Sequence, residues 1–143
     1  MSGPLQPGES PGFLLWRATL RWQRSVGAAL APFELTHVQF VLLACAWWLN
    51  EQGQRPNQSA VARQAGTDVK MTSQVLRALE RRGLLERRPD GADARARVIV
   101  ATRKGKALAP KAIAAVEAVD AEFFATVPAK QTVRLLAVLA EGG

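Results

Sequence analysis

The chain has 143 residues, 48% of them hydrophobic, which suits one domain with a core and excludes a globally disordered chain. Lys and Arg number 19 against 12 Asp and Glu, and the formal charge of +7 favours a polyanionic partner. A lone cysteine leaves no intrachain disulfide and fits a reducing cytoplasm, and the longest apolar run, residues 38–49, includes Gln39 and is shorter than the ~20 residues of a membrane span.

Met1 to Gly12 reads as a frayed arm, polar and rich in Pro and Gly, and not as a secretory leader. Ser10 and Pro11 form a plausible N-cap and first-turn pair. Phe13 to Leu30 follows as a helix with Leu15, Ala18, Trp22, Val26 and Ala29 on one stripe, and Pro32 stops it. The second helix runs from a Thr36 cap to Glu51. Its stripe is Val38, Val41, Leu42, Cys45 and Leu49, while Phe40, Leu43, Trp47 and Trp48 extend apolar surface almost all the way round. Such a helix needs cover on every side, which in a small protein points to a partner subunit.

Asn57 caps a third helix, Gln58 to Ala65, closed by Gly66. Thr67 or Asp68 caps the fourth, which runs to Arg82 with Thr72, Val75, Leu76 and Leu79 inward and is ended by Gly83. Leu84 to Arg88 and Arg97 to Ala101 read as strands around a Pro89–Ala96 loop. Thr102 caps a fifth helix to about Ala125, with a stripe of Leu108, Ala112, Ala115, Val119 and Phe123. Pro110 falls inside it, where a proline costs about 3 kcal/mol and bends the helix. Pro128 opens a last helix to Ala140 with Val133, Leu136 and Leu139 or Ala140 inward. No internal repeat is present.

Two helices across a tight turn, then a two-stranded ribbon, are the layout of a winged helix-turn-helix. The fold class is therefore mainly α with a small β-wing. Residues 13–143 form a single domain. Within it, 52–102 is the DNA-contacting lobe and 13–51 with 103–143 are the dimerisation helices. Charge agrees: nine basic and three acidic residues lie between Arg81 and Lys106, which puts +6 of the +7 in that stretch.

A duplex requires neutralised phosphates and partners for base edges. Lys70, Ser73, Gln74 and Arg77 share the outer side of the fourth helix; Gln suits adenine and Arg suits guanine in the major groove. Arg88 and Arg97 lie on the ribbon. Arg95 is near the loop tip, placed for a minor groove, with Asp93 two residues away to orient it by a charged hydrogen bond. One His, one Cys and no paired carboxylates in an apolar setting leave no nucleophile, base and orienter set. With no metal spacing, P-loop or dinucleotide fingerprint either, the expectation is a protein that is not an enzyme and has no cofactor.

From about Phe13 to Gly105 the chain resembles the MarR (multiple-antibiotic-resistance regulator) family. The resemblance is carried by Leu35-Thr36-x-x-Gln39-Phe40, by Ser73-x5-Leu79-Glu80-x-x-Gly83-Leu84-Leu85-x-Arg87, and by Asp93-x-Arg95, Val98 and Thr102-x-x-Gly105. It implies a cytoplasmic winged-helix homodimer that binds a palindromic operator, usually represses, and releases DNA on binding a small aromatic or anionic effector or on oxidation. Lys70, Ser73 and Gln74 fall on the family's recognition-helix contacts, and Asp93 and Arg95 on its wing motif. Ala94 replaces the commoner arginine, which would weaken the wing. Phe13-Leu14-Leu15-Trp16 is similar to the run that follows a reactive cysteine in the organic-hydroperoxide sensors, but Gly12 stands where that cysteine would be. Cys45, among Leu43, Ala44 and Ala46, reads as a buried apolar thiol. The resemblance also places an effector pocket between dimer frame and reading lobe, for which Trp16 and His37 are the candidates, offering an aromatic face and a donor to an anion. The competing reading is an architectural or weakly specific DNA-binding protein without an effector.

Overall fold

Capping residues set most of the helix ends. The computed structural model describes residues 3–93 and 95–142. The elements are α1 (Pro11–Leu30), α2 (His37–Glu51), α3 (Gln58–Ala65), α4 (Val69–Arg81), β1 (Leu85–Pro89), β2 (Arg97–Ala101), α5 (Arg103–Phe123) and α6 (Ala129–Glu141). Ser10 accepts the Phe13 amide at 3.3 Å and so caps α1 as expected. The helix starts at Pro11 and is preceded by a 3-10 turn at Pro7–Glu9, so regular structure begins inside the stretch read as a frayed arm. Thr36 and Gln39 form a reciprocal capping box on α2, with Gln39 N–H donating to the threonine hydroxyl at 3.2 Å and Thr36 N–H to the glutamine carbonyl oxygen at 3.1 Å.

The chain divides into two compact units, Met1–Ala29 with Ala115–Gly143, and Leu30–Ala114. The second is wider than the 52–102 lobe expected from sequence. In it α2 packs on α3, α4 and β2, so the second helix shares one compact unit with the helix-turn-helix and the ribbon. Leu42, Leu43, Val61, Leu76, Leu79 and Leu84 are fully buried there. Gly66 makes the turn between α3 and α4 at φ 77°, a conformation that glycine adopts without a Cβ clash.

β1 and β2 are antiparallel, with Leu85 opposite Ala101 and Pro89 opposite Arg97. The first strand lies one residue later than expected. The outer side of β2 meets the end of α2 and the segment that follows it: Ile99 N–H donates to Pro56 O at 2.7 Å, and Ala101 N–H donates to Asn50 Oδ1 at 2.8 Å. Asn50 Nδ2 in turn donates to the carbonyls of Ile99 and Gln54. Sequence reading missed this asparagine, because a polar residue at a helix end looks like surface until its strand partner is known.

In the first unit, Trp22 Nε1 donates to Asp120 Oδ1 at 2.8 Å, and an apolar cavity of about 280 Å³ is lined by Leu15, Ala18, Thr19, Trp22, Phe123, Phe124 and Leu136. Several inward stripes need correction. On α1, Leu15 and Ala18 are exposed while Val26 is fully buried. On α5 the buried positions are Gly105, Ala109, Ala112 and Val116; of the expected stripe only Ala112 is buried, and Leu108, Ala115, Val119 and Phe123 are half-buried. α5 runs unbroken through Pro110, whose exposed position leaves the carbonyl that loses its partner close to water. On α6 no residue is buried: Val133 is 67% exposed, Leu136 39% and Leu139 60%. Periodicity locates the apolar face of a helix but not whether the same chain covers it.

Candidate nucleic-acid interface

Helix α4 is amphipathic and firmly seated. Asp68 caps it by accepting the Met71 amide at 2.7 Å. Thr72, fully buried, donates to the Asp68 carbonyl at 2.7 Å and shares a 2.6 Å hydrogen bond with the Thr67 hydroxyl, so its polar atom is satisfied inside the core. Leu76 and Leu79 complete the inner side. Of the residues singled out from sequence, Lys70, Gln74, Arg77 and Arg81 are exposed on the other side, and Ser73 is half-buried at its border. Val69 and Met71, also exposed at the start of the helix, were passed over because apolar residues in a short helix read as core. The first turns of a recognition helix are the part that meets base edges, and methyl-bearing side chains there suit a thymine methyl.

The wing turn is built by its aspartates. Asp90 Oδ1 accepts the Ala92 amide at 3.1 Å, and Asp90 N–H donates to Ala96 O at 3.0 Å. Asp93 Oδ1 accepts the backbone amide of Arg95 at 3.0 Å, and among the described residues neither ion pair includes Arg95. The expected charged bond between the Asp93 and Arg95 side chains is therefore replaced by a turn-forming one, since an aspartate bonds more readily to the amide two residues on than to a long, solvated guanidinium. Arg95 and Arg97 are exposed. Ala94 lies outside the described residues, as do Met1 and Ser2.

The basic stretch separates into two groups. Arg87 is paired with Glu80 of α4 at 2.7 Å, bracing ribbon to helix, and Arg88 is paired with Glu86. Arg82 and Lys104 donate to backbone carbonyls. Arg81, Arg95, Arg97, Arg103 and Lys106 are exposed, and none of them appears in a hydrogen bond through its side chain among the described residues. Composition alone could not make this division, because charge counts do not distinguish struts from contacts.

A family model for the MarR family matches residues 35–96. The chain is 42% identical over 125 residues to the uncharacterized HTH-type transcriptional regulator YdcH of Bacillus subtilis, covering 87% of this chain and 85% of that one. This chain belongs to the MarR family. It is a winged-helix, DNA-binding transcription regulator, and its relatives are regulators. Two solved structures are similar along nearly the whole chain. CouR from Rhodococcus jostii RHA1 bound to p-coumaroyl-CoA has a TM-score of 0.85 at 30% identity, covering 98% of each chain. The transcriptional repressor CouR bound to a 23-mer DNA duplex has a TM-score of 0.78 at 29% identity, covering 97% of this chain and 98% of that one. No single helix of the described MarR chain is long and apolar enough to cross a membrane.

For the effector candidates, Trp16 is 61% exposed on α1 and His37 is half-buried in the first turn of α2; the former belongs to the first unit and the latter to the second. Cys45 is half-buried in α2, and burial raises its thiol pKa above the ordinary value. The nucleophilic thiolate is thus scarce at neutral pH. Alkylation by a small maleimide or iodoacetamide should be slower at neutral pH than for a free thiol in the unfolded chain, and should quicken only above the ordinary thiol range. The sign for stability follows. The folded pKa lies above the unfolded one, so this group costs no stability below the unfolded value, and stability falls as pH rises from there through the folded value. Rapid labelling at neutral pH in the folded protein would instead reveal an activated cysteine.

Proposed function

We propose that this MarR-family chain is a cytoplasmic, homodimeric repressor, not an enzyme. Residues 13–51 and 103–143 pin the dimer, residues 52–102 read a palindromic operator, and a small aromatic or anionic effector relieves repression. The observation that carries the reading is α4. Its inner side is fully buried at Thr72, Leu76 and Leu79, while Lys70, Gln74 and Arg77 face outward, with Ser73 half-buried at their border, beside a wing bearing Arg88, Asp93, Arg95 and Arg97. Within that group, Lys70, Gln74 and Arg77 act on bases and phosphates. Arg95 and Arg97 enter or flank the minor groove, Asp93 shapes the turn, and Arg88 contributes once its bond to Glu86 is exchanged for a phosphate. Two such lobes in a dimer reach successive major grooves when the recognition helices lie about 34–36 Å apart. An effector that binds better to a dimer of other spacing shifts the population off DNA. The likeness to CouR supports an aromatic acid or its thioester as effector, with Trp16 and His37 as first residues to replace.

The test is binding to tiled duplexes from around the protein's own gene at two salt concentrations, for the wild type and Arg95→Ala. The expected result is tight binding confined to one palindromic tile and weakened by the substitution by about tenfold, at the scale of 1–3 kcal/mol per good groove contact. Equal, steeply salt-dependent binding to every tile would instead establish an architectural protein.

A further inference from the structure

We infer that Arg82 is a positioning residue for the recognition helix and not a phosphate contact; the inference rests on the DNA-binding reading above. By sequence Arg82 is one of nine basic residues in the stretch that carries most of the net charge. Its geometry separates it from the others. It stands just past the end of α4, where its amide closes the helix by donating to Ala78 O at 3.2 Å. Its guanidinium is directed at its own chain. Nη1 donates to the carbonyl of Glu34 at 2.5 Å and Nη2 to the carbonyl of Phe33 at 3.2 Å.

Those two carbonyls belong to the corner between α1 and α2. There the 3-10 turn Ala31–Phe33 ends at Glu34 with φ 55°, the one non-glycine residue of positive φ among the described residues. A side-chain-bearing residue keeps that conformation where its surroundings hold it. The planar arginine fork, with several N–H groups at fixed angles, fits two successive carbonyls in a way a lysine ammonium cannot. The start of α5 holds the same helix end through its backbone carbonyls. Lys104 Nζ donates to Arg82 O at 3.1 Å and Thr102 Oγ1 donates to Gly83 O at 2.5 Å. The C-terminal end of the recognition helix is therefore clasped between the α1–α2 corner and α5, with Arg82 bonded to both.

The mechanical consequence is large for base reading and small for charge. Thirteen residues of helix extend about 20 Å at 1.5 Å per residue. A swing of about 10° at the Arg82 end moves Lys70 and the first turn by about 3 Å, beyond the tolerance of a base-edge hydrogen bond. Phosphate attraction acts over a Debye length of about 8–10 Å and barely changes over that distance.

The experiment compares the wild type, Arg82→Lys and Arg82→Ala on the tile that the wild type prefers and on an unrelated duplex, each across a salt series. Positioning predicts that Arg82→Lys, which keeps the charge and loses the fork, weakens the preferred tile by about tenfold, the scale of a lost charge-assisted bond. It also predicts unchanged binding to the unrelated duplex and an unchanged salt slope. Arg82→Ala, if it folds, should do the same; if it does not, the lysine variant decides alone. A phosphate contact predicts the reverse: Arg82→Lys binds like the wild type, and Arg82→Ala weakens both duplexes alike with a slope lower by about 1. That outcome, or wild-type selectivity in every variant, overturns the inference. Wild-type protein that binds all duplexes equally overturns the operator reading itself and the inference with it.

Discussion

Gly105→Ala is expected to destabilise the folded chain by about 3 kcal/mol, the upper end of the range for overpacking a rigid site. A Cβ on Gly105 would stand 2.0 Å from the Leu84 carbonyl oxygen and 3.0 Å from its carbon. Neither side can yield cheaply. Leu84 is fully buried and its carbonyl already accepts the Thr102 amide at 3.1 Å. Gly105 in turn sits in the first turn of α5, with its amide on the Thr102 hydroxyl at 3.1 Å. At a few degrees per kcal/mol for a chain of this size, the loss is a fall of about 10 °C in melting temperature. Gly27→Ala, in the middle of α1 with nothing within 4 Å of the added carbon, is the control of opposite sign and should stabilise by up to about 1 kcal/mol. Equal melting temperatures for Gly105→Ala and the wild type would mean that the start of α5 is loosely held.

Replacing Leu135 with Glu and Leu139 with Lys together is expected to abolish dimerisation and to weaken operator binding by about 10²- to 10⁴-fold. That range is the usual advantage of two linked sites over one. Leu135, Val138 and Leu139 are 60%, 61% and 60% exposed, and their spacing puts them on one stripe of α6. A soluble protein rarely leaves such a stripe to water, so a second copy of the chain is its natural cover. The pair of substitutions leaves the single chain intact, because both sites are already solvated and Glu followed four residues later by Lys supports a helix. Sedimentation or light scattering reads the assembly, and binding to the preferred tile reads its consequence. A dimer that survives the double substitution would place the subunit contact on another surface.

The parts of the fold that were legible in the sequence are those set by local chemistry. Asn57 and Gly66 bound α3 at the residues expected, and Asp68 begins α4. The short β-branched run after Arg97 marked β2 at its observed bounds, Arg97–Ala101. What escaped depends on distant partners. The corner at Glu34 has a left-handed residue that is not glycine, so no turn signal announced it. Asn50 bonds 49 and 51 residues away, and Arg82 bonds back across 48 and 49. The α6 stripe was misassigned because periodicity is the same whether a face meets its own core or another chain. For the interface, residue types and spacing identified Lys70, Gln74, Arg77 and Arg95 as outward. They could not separate Arg82 and Arg87, which serve the fold, from Arg81 and Arg97, which remain exposed.

A two-stranded ribbon projecting from a protein is ordinarily an aggregation hazard, since an open strand edge templates addition of another strand. Here the outer edge of β2 is closed by Pro56 O and by both polar atoms of the Asn50 side chain. The outer edge of β1 carries Glu86, Arg87, Arg88 and Pro89. Charge and a missing N–H discourage pairing there. The ribbon can therefore extend into solvent at high local concentrations without seeding strand exchange between molecules, and Asn50 guards against self-association as well as completing the fold.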